Sequence, residues 1–433
     1  MKAFDVGGPP VLRRRTLLAA VGSGALAAAA GCARGTQTRA APAGVVTLNN
    51  DNATWAPGYA AASGPLHART GYRLSPRAVP NVSAYQQIVR MSAQTDSTTD
   101  LIKWWNGYRL QDIARGEILT DLTEPWDKAQ AAGLVDPTLR ESFSYQGKPY
   151  AMPLYKSYYA IFYSKKAFAK VGVQPPRSWA DFMRVAATFQ KAGVTPIASS
   201  GASDWESIIW FAQLLIGMDP NFYQRLTSGK ARYTDPTAVQ AMTLWSQMYS
   251  QKLFSAPDYD GQGTPGHFKD GSIAMTLGGT WNTNAYTTAG LTDADFGIFL
   301  LPSVRPSAPA AVVVESGALA VPINAHKKNA ALDVATAWLA GDVQRAWVGF
   351  LKDTSANPQI VPDVPAIRAL HLDLKARKPR EMTRYWEASP PALVEGNVNE
   401  LSAFMVSPSS GNVRPTLQRM QKRANTEWKT WNS

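Results

Sequence analysis

Segments with a two-residue apolar period alternate with segments of helical period along the chain, and this alternation constrains the fold more than any other feature. Strands are expected at VVTLNN from Val45, DLIKW from Asp100, AIFYS from Ala160, IAMTLG from Ile273, GIFLLP from Gly297 and ALAVP from Ala318. Helices fall between them. Ser178 caps WADFMRVAATFQKA, with Asp181 in the capping-box position and Gly193 past the end. Asp235-Pro236 opens TAVQAMTLWSQMYSQ, proline being cheap at a helix start, and AALDVATAWLAG runs to a stop at Gly341. The expected class is α/β, with ligands taken in loops outside the carboxyl ends of the strands. The 433 residues, 45% hydrophobic and 18% charged, can bury a sizeable core, as two or three domains or as one two-lobed molecule.

The N-terminus follows different rules. Arg13, Arg14 and Arg15 precede a small-residue apolar run that ends at Gly31-Cys32. About 14 apolar residues are too few for the roughly 20 needed to span a bilayer, so the stretch reads as an export signal. RRRTLL resembles a twin-arginine signal, and AAGC a lipoprotein cleavage box with Ala29 where most have Leu. Residues 1–31 are therefore expected as signal and 32–44 as a flexible tether, with Cys32 lipidated and the protein exported to the outer face of the cell membrane. Cys32 is the only cysteine, so no intramolecular disulfide can form.

Charge and motifs exclude several chemistries. The formal charge is +12; Lys2 and the three arginines against Asp5 account for +3, leaving +9 beyond residue 31. The basic residues are scattered, and the one concentration, KARKPREMTR from Lys375 to Arg384, reads as an exposed, solvated segment rather than a nucleic-acid surface. The four histidines (His67, His267, His326 and His371) have no metal-ligand spacing, and no GxSxG, GxxxxGK[ST] or post-strand GxGxxG is present. No catalytic residue, metal or cofactor is assigned. Tyr158-Tyr159 is the kind of pair that holds ferric iron in some two-lobed binders, but no histidine or carboxylate is tied to it by sequence.

Aromatic residues carry the binding signal. Of 14 tryptophans, Trp210, Trp245, Trp338 and Trp347 fall inside expected helices and are assigned to the core, while Trp104 is balanced between core and wall. Three more stand at element ends, with tyrosines, amides and carboxylates beside them: Trp105, Asn106 and Tyr108 in LIKWWNGYR, Tyr158 in PLYKSYY, Trp205 and Glu206 in ASDWES, Trp281 and Asn282 in GSIAMTLGGTWN. Ring faces stack on the C–H faces of a sugar, and amides and carboxylates take its hydroxyls. Gly278-Gly279 reads as a turn that ends the strand and presents Trp281.

Five segments in order carry a family resemblance: DLIKWWNGYRLQDIARGEILTDLT, QGKPYAMPLY, IFYSKKAFAKVGVQPPRSWADF, FKDGSIAMTLGGTWN and GIFLLP. From about Val45 to about Ile360 the chain resembles the sugar-binding solute receptors of bacterial ABC importers, the family that includes the maltodextrin binders. The resemblance implies a two-lobed periplasmic-binding-protein-like fold with a hinge and an interlobe ligand cleft. It places 45–159 and 302–355 in lobe 1 and 160–301 and 356–433 in lobe 2, with crossings near Ala160–Tyr163 and Gly297–Pro302. The implied ligand residues are Trp105, Asn106 and Tyr108 from lobe 1, Ser157 or Tyr158 from the hinge approach, and Trp205, Glu206, Trp281 and Asn282 from lobe 2. Asn50, Asp51, Asn52 or Thr54 is within reach after the first strand, Asn52 being carried forward. Glu315 either accepts sugar hydroxyls or selects a cationic group. The implied function is capture of a mono- or oligosaccharide by a monomer and its delivery to permease subunits, with no nucleic acid and no cofactor. Alternatives are an amino-sugar, polyol or polyamine receptor, a surface-anchored carbohydrate enzyme, or an adhesion module.

Overall fold

The strands sort into two main sheets, and the order of that sorting places the site. In the computed structural model, which describes residues 44–200 and 206–433, they are β1 (Val45–Asn50), β2 (Arg73–Ala78), β3 (Leu101–Trp105), β4 (Ser144–Tyr145), β5 (Lys148–Pro149), β6 (Ala151–Pro153) and β7 (Ser157–Ser164). They continue with β8 (Thr195–Ala198), β9 (Ile273–Gly279), β10 (Phe296–Phe299), β11 (Ala311–Glu315), β12 (Gly317–Ala320) and β13 (Arg380–Thr383). The first sheet runs β2-β1-β3-β12-β6, with β1 parallel to β2 and β3, and β12 antiparallel to β3 and β6. Its central strands are continuously buried, as strands covered on both faces must be, whereas β2 lies at the edge, where Pro76 costs no ladder bond. The second sheet runs β13-β11-β7-β9-β8. One side of β7 pairs with β9, and the other side pairs first with β11 and then with β10.

Each sheet has its own core. Trp126, Trp338, Trp347, Tyr59 and Tyr85 fill the first, and Phe182, Phe211, Trp245, Leu393 and Leu417 the second. The expected helices are present as Trp179–Lys191, capped by Ser178 Oγ accepting from Asp181 N at 3.1 Å, and Pro236–Ser250. The helix expected to stop at Gly341 instead spans Lys328–Ala337, and Gly341 is the first residue of the next helix, Gly341–Leu351. The two C-terminal helices, Pro391–Val406 and Ser410–Asn432, pack on the second core.

The crossings differ from those expected. Val314 and Glu315 of β11 pair with Tyr158 and Ser157 of β7, so residues 311–315 lie in the second sheet and not in the first. The chain thus leaves the first sheet between β6 and β7, over 154–156, and returns at Ser316 between β11 and β12. Ala160–Tyr163 and the strand of GIFLLP both belong to the second sheet, where β10 pairs along β7 beyond the end of β11. A third connection is stitched to the first: Asp353 accepts a hydrogen bond from Ser157 Oγ, and Thr354 Oγ1 donates to Lys156 O. The basic run also departs from its reading. Arg380–Thr383 is a strand parallel to β11, and Arg384 is buried beside the crossing.

Candidate functional site

A cavity of about 730 Å³ lies between the sheets, its walls contributed by both. On the first-lobe side, β3 alternates Lys103 and Trp105 onto one face, and the turn after β1 supplies Asp51, Asn52 and Trp55. Lys103 Nζ is 2.9 Å from Asp51 Oδ2 and 4.3 Å from the centre of the Trp105 ring. Asp51 Oδ1 is buried without a hydrogen-bond partner. Trp55 meets Tyr155 edge-on at 5.5 Å, which braces this wall.

The second-lobe side is built around one buried cation. Arg384 donates through Nη1 to Glu315 Oε2 at 2.7 Å and through Nε to Glu387 Oε2 at 2.8 Å, while Tyr155 OH donates to Glu315 Oε1 at 2.8 Å. Burial would lower the Arg384 guanidinium, but Glu315 and Glu387 hold it well above its ordinary value. Burial raises the Glu315 carboxyl, against the pull of Arg384. Trp386 lies 3.8 Å beneath the guanidinium of Arg109, which also reaches Glu395 Oε1 at 3.1 Å. The cations that line the cleft are therefore already held by carboxylates. What remains for a ligand is ring surface and unfilled acceptors.

Trp281 is common to this cleft and to a smaller pocket of about 300 Å³ within the second lobe. Its position depends on Gly279. A Cβ there would stand 1.3 Å from Trp281 Cζ3, so the ring folds back over the strand end only because that atom is missing. Gly279 has φ −75° and ψ 148°, open to any residue; the glycine is needed for space and not for the turn.

The structure brings Asn52, Trp105, Trp281 and Glu315 to the cleft, and Glu206, Trp281 and Asn282 to the smaller pocket. Three expected residues stand elsewhere. Asn106 is buried at the start of Gly107–Ala114 and donates to Ser142 Oγ, because the turn out of β3 carries it away from the face that Lys103 and Trp105 share. Tyr108 packs on Trp428 and Trp431, with its backbone N–H on Glu387 O. Tyr158 OH bonds Glu381 Oε1, on the face of β7 opposite Tyr159, so the two phenols cannot share an ion. Ser157 is spent on Asp353, and both Glu315 oxygens already have partners, which leaves that carboxylate no free charge to select a cation. Trp104 is core, its indole N–H on Arg109 O. Trp205 and Cys32 lie outside the described residues.

Trp55, Lys103, Tyr155, Arg384, Trp386 and Glu395 were not anticipated. Lys103 was within reach, since a strand's period of two pairs it with Trp105. Arg384, Trp386 and Glu395 had no local signal, because they enter the cleft only through the packing of the C-terminal segment.

Residues 34–345 match the family described as bacterial extracellular solute-binding protein, and the chain belongs to that family. A probable sugar-binding periplasmic protein of Mesorhizobium japonicum (strain LMG 29417 / CECT 9101 / MAFF 303099) is 30% identical over 126 residues. The match covers 28% of this chain and only 29% of that relative. The solved bacterial solute receptor AcbH, described as having an exclusive preference for β-D-galactopyranose, superposes with TM-score 0.77 at 18% identity, over 88% of this chain and 98% of its own. A chitin oligosaccharide binding protein superposes with TM-score 0.76 at 17% identity, with the same coverage. These likenesses establish the two-lobed α/β fold. Among the described residues, no helix is long and apolar enough to cross a membrane.

Proposed function

We propose that this protein is the solute receptor of an ABC importer, holding a mono- or oligosaccharide between its lobes and passing it to membrane permease subunits. The observation that carries the reading is the cleft itself: indole rings on both walls, Trp105 and Trp55 facing Trp281 and Trp386, with its lysine and arginine neutralised by Asp51, Glu315 and Glu387. Among the described residues this surface has no unpaired cation to draw a phosphate, and it offers stacking faces together with the unfilled Asp51 Oδ1 for a hydroxyl. Function then needs no covalent step, only greater affinity of the solute for the closed arrangement. Tethering by a lipid at Cys32 and action as a monomer complete the proposal.

The test is a thermal-shift and calorimetric screen of the purified protein against neutral sugars, amino sugars, polyols and polyamines. A ligand present at 100 times its dissociation constant adds about 2.7 kcal/mol to the folded state. A sugar should raise the melting temperature, and Trp281→Ala should weaken its binding at least tenfold. Turnover of an oligosaccharide, or a shift by polyamines alone, would overturn the reading.

A further inference from the structure

The pocket within the second lobe differs in charge from the cleft it adjoins. Among the described residues that line it are Glu206 and Asp260, with Trp210, Tyr259 and Trp281 as aromatic surface, and no lysine, arginine or histidine. Glu206 stands at the start of the helix Ser207–Met218, yet its side chain makes no capping bond, and no cation pairs with it among the described residues. Burial pushes its carboxyl up to about 7. The neighbouring Ser200 hydroxyl favours the charged form, although the pair does not meet the geometry of a hydrogen bond. Ser200 is 7% exposed, and its Oγ has no hydrogen-bond partner at all. A half-desolvated carboxylate, an unfilled hydroxyl and the rings of Trp210, Tyr259, Trp281 and Tyr286 thus surround a space with no cation among the described residues that line it.

Placing a negative group out of water without a counter-charge is unfavourable. A ligand ammonium would remove that penalty by pairing with Glu206, donate to Ser200 Oγ, and gain from the faces of the indole and phenol rings. In the main cleft the same ammonium would meet Lys103 and Arg384, and Asp51 and Glu315 there are each already paired with one of those cations. The two compartments therefore ask for different parts of one molecule, an uncharged ring in the cleft and a cationic group beyond Trp281.

We propose that this pocket is the subsite for a free amino group, and that the solute is a saccharide bearing at least one unacylated amine. The inference rests on the saccharide-receptor reading and deepens it. The volume of about 300 Å³ is at the small end of the range for small-molecule sites, suited to an amine with part of its ring and not to a second long chain.

The experiment is calorimetry at pH 7.5 on the purified protein with three pairs of probes. D-glucosamine is set against D-glucose, D-galactosamine against D-galactose, and the β-1,4 disaccharide of glucosamine against its N-acetylated form; putrescine is the non-sugar control. At least one amine should bind tenfold or more tightly than its neutral counterpart, and Glu206→Gln should erase that preference. The comparison within the unmodified protein decides the question even where the variant fails to fold. Equal or tighter binding of the neutral partners keeps the saccharide receptor and overturns the amine subsite, as does a preference that survives in the folded Glu206→Gln variant. Binding of putrescine with no sugar of either kind overturns both readings. Failure of every amine overturns the subsite.

Discussion

Asp353→Asn tests how the lobes are joined without requiring knowledge of the solute. Asp353 is 1% exposed, accepts from Ser157 Oγ and from Thr354 N at 2.7 Å, and is also bonded by the Thr280 hydroxyl. Burial raises its carboxyl to about 7, and these hydrogen bonds pull it back only in part. The folded state therefore holds the proton more tightly than the unfolded chain, whose carboxyl has its ordinary value of 3.8. Below about pH 4 both states are protonated and the group costs nothing; as pH rises to about 7 the unfolded state alone gains the charge, and stability falls. The full displacement, from 3.8 to about 7, corresponds to about 4 kcal/mol, of which roughly 2.5 kcal/mol is lost between pH 5 and pH 8. Asparagine keeps the geometry, since its oxygen accepts from Thr354 N and its amide donates to Ser157 Oγ. Urea unfolding followed by tryptophan fluorescence should show the variant gaining on the unmodified protein by roughly 2.5 kcal/mol from pH 5 to pH 8. A gap independent of pH, or one that closes as pH rises, would refute the reasoning by showing that Asp353 does not carry the proton in the fold.

Two further substitutions probe the walls. Gly279→Ala forces the Trp281 ring off the strand end, because the added carbon would sit 1.3 Å from Cζ3. It should cost about 1–3 kcal/mol of stability and shift the indole emission, and an unchanged spectrum with unchanged sugar affinity would contradict the packing role. Arg384→Met leaves Glu315 and Glu387 buried without their cation. A loss of about 3–5 kcal/mol at pH 8 is expected, partly recovered at pH 5 as Glu315, whose carboxyl burial already raises, takes up a proton, and denaturation curves that ignore pH would count against it.

The alternation of strands and helices, the Ser178 cap and the proline start at Pro236 were legible because each depends on neighbours in the chain. Trp281 was legible as well, since an aromatic placed just after two glycines at a strand end has few places to go. The lobe boundaries were less so. Glu315 pairs with Ser157 across the second sheet, a contact between residues far apart in sequence that no local pattern encodes. Arg384 shows the limit most plainly. Read in its run, KARKPREMTR, it is one basic residue in a solvated segment; in the fold it is the buried cation that two carboxylates close on.

The sequence by itself determined the class of fold, the family and the aromatic character of the site, because periodicity, capping and residue type are properties of short windows. Tertiary structure alone decided which charges are spent. Glu315 lost its freedom to Arg384 and Tyr155, whereas Glu206 was left half-buried with no cation among the described residues, and the electrostatics of both depend on residues brought near only when the chain closes on itself.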